Sequence, residues 1–111
     1  MKNNKINPYR LNYIYHPLTR KLNVTYHFGE RLKERFGYKL QDLYQIIKKF
    51  KYHNGKRFCN NCLTINSKIR NGIYPNSDYL YSPFFDMILI FDRDTRTLLT
   101  VERYDTNYFY K

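Results

Sequence analysis

His27, Arg31 and Arg35 stand four residues apart in the run His27-Phe-Gly-Glu-Arg31-Leu-Lys-Glu-Arg35-Phe-Gly37. On a helix this spacing puts the three side chains on neighbouring turns of one face, drifting by about 40° per step. An imidazole beside two guanidinium groups has the chemistry of a phosphate site. The planar Arg fork donates paired hydrogen bonds to phosphate oxygens, and imidazole exchanges protons near neutrality. Phe28, Leu32 and Phe36 lie one position further on and form an apolar stripe, so the cationic row borders the buried side of its helix. Glu30, Lys33 and Glu34 share the segment, and a mixed-charge surface helix is the competing account of it.

The chain as a whole favours a polyanionic partner. It has 111 residues and a net charge of +11, from 20 Lys and Arg against 9 Asp and Glu. Such an excess opposes compaction by self-repulsion, whereas each phosphate it neutralises releases counterions. Nucleic acid is therefore the expected partner, with RNA favoured over DNA; an acidic protein or an anionic surface is the alternative. The aromatic share of 19% argues for a folded chain, since disordered chains are poor in aromatics. No apolar run approaches the roughly 18 residues of a membrane span, and residues 1–10 lack the pattern of a secretion signal. The expectation is a cytoplasmic protein without membrane contact.

Several elements can be read around the cationic row. Residues 1–21 form a basic arm, interrupted by His16-Pro17, and residues 22–111 a single domain. Residues 22–26 alternate like a short strand. A helix over residues 27–36 stops at Gly37, and a second spans residues 40–51. Leu40, Leu43, Tyr44, Ile47 and Phe50 form its apolar face, with Lys48, Lys49 and Lys51 in its last turn, where they complement the helix dipole. After the Asn54-Gly55 turn the pattern changes. Residues 57–65 read as an interrupted strand, residues 66–83 as a long loop, and residues 84–91 as a buried strand. A tight turn follows at residues 92–95. Residues 97–104 return as a strand with Leu98, Thr100, Glu102 and Tyr104 on one face and Leu99, Val101 and Arg103 on the other. Helices followed by strands give an α+β fold, two N-terminal helices packed on an antiparallel sheet.

Other residues carry weaker signals. Cys59-Asn-Asn-Cys62 has the spacing of a metal knuckle or a redox pair. A structural zinc site takes four ligands, which here would need His16, His27 or His53, and paired cysteines are also ordinary small buried residues. No metal and no cofactor are expected. Tyr74, Tyr79, Tyr81, Tyr108 and Tyr110 fall in segments read as loop or tail, where rings stack on unpaired bases or line a protein interface. Lys48, Lys49, Lys51, Lys56 and Arg57, together with Tyr79 and Tyr81, make up the expected nucleic-acid-binding set.

The His-x3-Arg-x3-Arg-x-Gly run, the amphipathic helix after it, and a strand pair ending in Leu98-Leu-Thr-Val101 resemble a family of small bacterial and phage proteins. That family is similar to RelE-like toxins, within the wider group of barnase, EndoU, colicin and RelE folds. The resemblance covers about residues 22–104; the arm and residues 66–83 depart from it. It implies metal-independent RNA cleavage, in which a base takes the 2′-OH proton, a cation stabilises the phosphate and an acid protonates the leaving 5′-oxygen. Carried over, His27 is the base or acid and Arg31 and Arg35 bind phosphate. Glu102, Arg103 and Tyr104 are candidates for further proton transfer or phosphate contact, with ordinary sheet surface as the alternative for Glu102 and Tyr104. A toxin of this type has an antitoxin or host target as protein partner. The competing function is a non-enzymatic phage-type protein that inhibits a host enzyme or defence system. A DNA-binding regulator is a third class, but the second helix ends in lysines rather than base-reading side chains.

Overall fold

Thr25 holds extended backbone, and its hydroxyl accepts a hydrogen bond from the Phe28 N–H at 3.1 Å. That cap satisfies one of the open donors of a helix start. Helix α1 then runs over Tyr26–Phe36 and stops where Gly37 turns left-handed (φ 71°), its N–H bonded to the Lys33 carbonyl. This matches the expected helix and its glycine stop. The structure, a computed structural model, describes residues 13–104; residues 1–12 of the expected arm, and the tail with Tyr108 and Tyr110, lie outside them.

The described residues form an α+β fold with three helices and two antiparallel sheets. Strands β1 (Tyr13–His16) and β2 (Arg20–Asn23) pair as a hairpin. The expected boundary between residues 21 and 22 falls inside β2, and Ile14 and Leu22 are fully buried. The described end of the arm is thus part of the core. His16 turns this hairpin onto the chain after α2 (Leu40–Ile46). Its Nε2 lies 2.7 Å from the Phe50 carbonyl, and its Nδ1 accepts from the Leu18 N–H at 3.1 Å. A carbonyl only accepts, so Nε2 carries the proton.

The second helix is shorter than residues 40–51. It tightens into a 3-10 turn at Ile47–Lys49, which swings Phe50 into the core and leaves Lys51 to open β3 (Lys51–His53). Lys48 and Lys49 stay in the last turn, but Lys51 does not. Tyr44, expected on the buried face, is 55% exposed, because Leu40, Leu43 and Ile47 alone complete the apolar line.

Two elements replace the expected strand at residues 57–65 and loop at 66–83. Helix α3 spans Leu63–Arg70, and β4 spans Ser77–Ser82. Strand β4 is the second strand of a four-stranded sheet with order β3-β4-β5-β6, where β5 is Met87–Asp92 and β6 is Leu98–Glu102. Alternate residues of β5 face two separate cores. Met87, Leu89 and Phe91 pack with α1, α2 and the hairpin; Ile88 and Ile90 pack with Phe58, Cys62 and Ile65. Helices therefore cover both sheet faces, not one, as the two-helix expectation had it.

Register along β6 also differs from simple alternation. Ile90 pairs with Thr100 but Phe91 pairs with Leu98, so Leu99 is the extra residue of a bulge. Leu98 and Val101 therefore share the α1 face. Thr100 and Glu102, opposite Ile90 and Ile88, face α3 together with Tyr104.

Candidate functional site

Arg35 sits in the last turn of α1, on the side nearest the open edge of the sheet. Strand β6 is an edge strand, and an edge strand leaves backbone groups unpaired. The Arg35 guanidinium uses one of them, donating from Nη1 to the Val101 carbonyl at 2.7 Å. The same nitrogen lies 3.4 Å from the Thr100 hydroxyl and 3.9 Å from Glu102 Oε1. Arg35 thus passes round the edge from the α1 face to the α3 face.

Glu102 is met there by two further side chains. Lys68 Nζ and the Tyr74 hydroxyl each donate to Glu102 Oε2 at 2.7 Å. Lys68 comes from the last turns of α3, held down by Ile65. Tyr74 is aimed by the way α3 ends. Gly72 (φ 73°) bonds its N–H to the Ile69 carbonyl, and the Ile73 N–H returns to the Lys68 carbonyl. This paired C-terminal closure is a Schellman motif, and it folds the chain back so that Tyr74 reaches the carboxylate. The Glu102 side chain is only 12% exposed, against 40% for Arg35 and 37% for Lys68. Burial, and then the hydrogen bond to the Glu102 carboxylate, push the Tyr74 hydroxyl well above its ordinary value, so it stays protonated.

The result is a nearly buried carboxylate ringed by a guanidinium, an ammonium and a phenol, with two cations reaching solvent. Such a set can accept a proton, return one, and hold an anion between Arg35 and Lys68. Sequence reasoning singled out Arg35 and Glu102. It passed over Lys68, and it treated Tyr74 only as a loop aromatic.

The remaining residues of the cationic row do not join this group. Arg31 pairs with Glu34 at 3.0 Å on the helix surface. The His27 side chain is exposed, and no side-chain hydrogen bond holds it among the described residues. It stands eight residues before Arg35, about 12 Å along the axis by helix rise. Arg103 serves a different purpose. It donates to Asp86 at 2.8 Å and to the Arg35 carbonyl at 3.1 Å, and lies 4.7 Å over the Phe36 ring. It clamps the end of α1 to the β4–β5 turn.

Of the expected nucleic-acid-binding set, Lys48, Lys49, Lys51, Lys56 and Arg57 are exposed. Tyr79 is not: it is fully buried in the α3-side core, so its ring cannot stack on a base. It belongs to β4, within the segment expected to be loop. Tyr81 is half-buried and stacks on Tyr104, centroids 5.6 Å apart. Cys59 and Cys62 are both thiols rather than a disulfide, with sulfurs 3.3 Å apart. No group of three His, Cys, Asp or Glu side chains gathers to hold a metal among the described residues. No helix among them is long and apolar enough to cross a membrane. Comparison with protein-family models, with curated proteins and with solved structures finds no match to the chain.

Proposed function

We propose that this protein binds RNA at the junction of α1, α3 and β6 and cleaves it there without a metal ion, as a cytoplasmic toxin-type endoribonuclease of RelE-like architecture. The observation that carries this reading is the Glu102 carboxylate. It is 12% exposed and lies 2.7 Å from both an ammonium and a phenol, in a chain of charge +11. RNA holds its own nucleophile, so the protein has to supply only proton transfer and charge stabilisation.

In this reading Arg35 and Lys68 take the non-bridging oxygens of the scissile phosphate. Glu102 accepts the 2′-OH proton as the oxygen attacks phosphorus. The Tyr74 hydroxyl gives its proton to the departing 5′-oxygen. The hydrogen bond between Tyr74 and Glu102 then returns the proton from the carboxyl to the phenolate, and the centre is reset. His27 moves from the catalytic role expected of it to the approach of the strand, where it and Arg31 extend the cationic line. Products end in 2′,3′-cyclic phosphates. The test is incubation of total RNA with the protein and with Glu102→Gln, each with and without EDTA. Cleavage that survives EDTA and is lost in the variant, with RNA affinity retained, supports the reading; cleavage that EDTA stops overturns it.

A protein partner, an antitoxin or a host target, is the second reading, alone or alongside the first. It is favoured by a hollow between β1 and α2 lined by Tyr15, Pro17, Tyr44, Gln45, Ile47 and Lys48. Tyr15 and Tyr44 are about half exposed there, and tyrosine is enriched at interfaces.

A further inference from the structure

We infer that Cys59 and Cys62 form a reversible dithiol–disulfide site, with Cys59 as the attacking thiol, Cys62 as the resolving thiol, and a small-molecule disulfide of the glutathione class as the oxidant. This rests on the thiol geometry and stands independently of the RNA reading.

A tight turn brings the two residues together. The Cys62 N–H bonds to the Cys59 carbonyl at 3.1 Å, and Cys62 is the first residue before α3, its carbonyl accepting from the Asn66 N–H at 3.0 Å. Asn66, itself buried, fixes the outer arm of the turn. Its amide nitrogen donates to the Cys59 carbonyl at 2.8 Å, and its oxygen accepts from the Phe58 N–H at 2.6 Å. The sulfurs are therefore held 3.3 Å apart, in direct contact.

The two thiols differ in access. Cys59 is exposed and Cys62 is fully buried. The Tyr104 hydroxyl stands 3.6 Å from the Cys59 sulfur. Burial pushes the Cys59 thiol up, but hydrogen bonds from Tyr104, from Cys62 and from the Asn61 and Cys62 backbone outweigh it and hold the thiol below its ordinary value. An exposed thiol whose ionised form hydrogen bonds favour, backed by a buried one in contact, is the arrangement thiol–disulfide exchange needs.

The steps balance. The Cys59 thiolate attacks one sulfur of the oxidant, forming a mixed disulfide and releasing one thiolate, which takes a proton. Cys62 attacks the Cys59 sulfur, expelling the second thiolate, which takes the proton Cys62 gives up. The protein dithiol is oxidised by two electrons and the small disulfide is reduced to two thiols.

The test is incubation of the full chain with oxidised glutathione, acid quench, alkylation and mass mapping. The two alkylatable thiols fall to none, the protein loses the mass of two hydrogens, and dithiothreitol restores both. Cys62→Ser accumulates one glutathionyl group on Cys59. Cys59→Ser stays unmodified, because its remaining thiol is buried. Cys62→Ala serves in place of Cys62→Ser if the serine variant does not fold, and the wild-type mass map needs no variant. Wild-type protein that keeps both thiols alkylatable, forms intermolecular dimers instead, or reacts first at Cys62 overturns the inference.

Discussion

Replacing Glu102 by Gln separates a catalytic carboxylate from a structural one. The side chain keeps its size and an amide oxygen, and loses only its charge and the capacity to take a proton. Two hydrogen bonds of 2.7 Å end on Oε2 in the wild type. A hydrogen bond to a charged group contributes about 1.5–3 kcal/mol and a neutral one about 0.5–1.5 kcal/mol, so the exchange removes roughly 1 kcal/mol per bond. Lys68 is 37% exposed, so solvent screens its share and the expected loss is about 1–1.5 kcal/mol in total. In a domain of this size that lowers Tm by about 4–7 °C, leaving the protein folded at room temperature. Losing a general base costs about 10²–10⁴-fold in rate, or about 3–5.5 kcal/mol of barrier. The rate effect therefore exceeds anything stability explains. The assay pairs thermal unfolding with cleavage of a labelled RNA by the folded variant, and filter binding reports affinity separately. A variant that is destabilised as expected but cleaves at the wild-type rate refutes the catalytic assignment and leaves Glu102 as the tie between α1, α3 and β6.

The other expectations test different parts of the structure. Tyr79 has a buried hydroxyl with no hydrogen-bond partner among the described residues, so Tyr79→Phe is expected to leave stability unchanged or raise it by up to about 1 kcal/mol in urea unfolding, with RNA affinity unaltered; a loss of affinity would restore the ring to the RNA surface. Burial, and then Asp78, push the Tyr79 hydroxyl from 10.0 to about 12, and Tyr52, Tyr74 and Tyr104 are raised in the same direction. The native state then binds more protons than the unfolded one above pH 10, so this stabilisation is complete below about pH 10 and is lost as pH rises through about 12 and beyond; circular dichroism and tyrosinate absorbance should change together, and tyrosines that ionise freely in the folded protein would contradict it. RNA binding should weaken linearly with log salt, and Lys68→Ala should reduce the slope by about one; an unchanged slope removes Lys68 from the phosphate contacts. His16→Ala breaks the tie from the hairpin to Phe50 and should cost about 1–3 kcal/mol, read as a lower urea midpoint; an unchanged midpoint means that the hairpin does not depend on it.

Legibility along the chain follows how many faces each element buries. Helix α1 buries one stripe, so Phe28 and Leu32 at intervals of four, with Thr25 before and Gly37 after, identify it from sequence. Strand β5 reads as a continuous apolar run and is found, because both of its faces are buried. Strand β4 is buried on both faces too, yet it reads Ser-Asp-Tyr-Leu-Tyr-Ser. Its polar residues are satisfied by partners far along the chain: Asp78 accepts from Tyr52 at 2.6 Å and from Arg93 at 3.1 Å. Nothing local reveals that pairing, so β4 looks like loop. Helix α3 is hidden differently. Thr64, Ile65 and Ile69 are β-branched, and its buried Asn66 works as a backbone substitute rather than a core apolar residue. Only the four-residue step from Ile65 to Ile69, with Gly72 just beyond, signals a helix and its stop.

The candidate site inherits these limits. Arg35 and Glu102 were visible because they lie on elements the sequence announces. Lys68 and Tyr74 were missed because they lie on or after α3, and they reach Glu102 only once β4 has paired between β3 and β5 and α3 has closed over the second face. The bulge at Leu99 completes the arrangement. Were Leu99 paired in plain alternation instead of bulged, Leu98 would share the face of Thr100 and Glu102, and that apolar side chain would turn toward the α3 side near the Arg35 contact. With the bulge, Leu98 joins Val101 in the α1 core, and the α3 face of β6 is left to Thr100, Glu102 and Tyr104. A deletion of Leu99 makes Leu98 and Thr100 neighbours in a regular ladder that keeps Phe91 paired with Leu98 and Ile90 with Thr100. It is therefore expected to leave Arg35 and Glu102 together and cleavage intact, as is Leu99→Ala at this exposed position. Inserting one alanine between Leu99 and Thr100 instead shifts the register and is expected to abolish cleavage and lower the unfolding midpoint. If the insertion variant folds and cleaves like wild type, or the deletion variant folds and does not cleave, register at the β6 edge does not assemble the site.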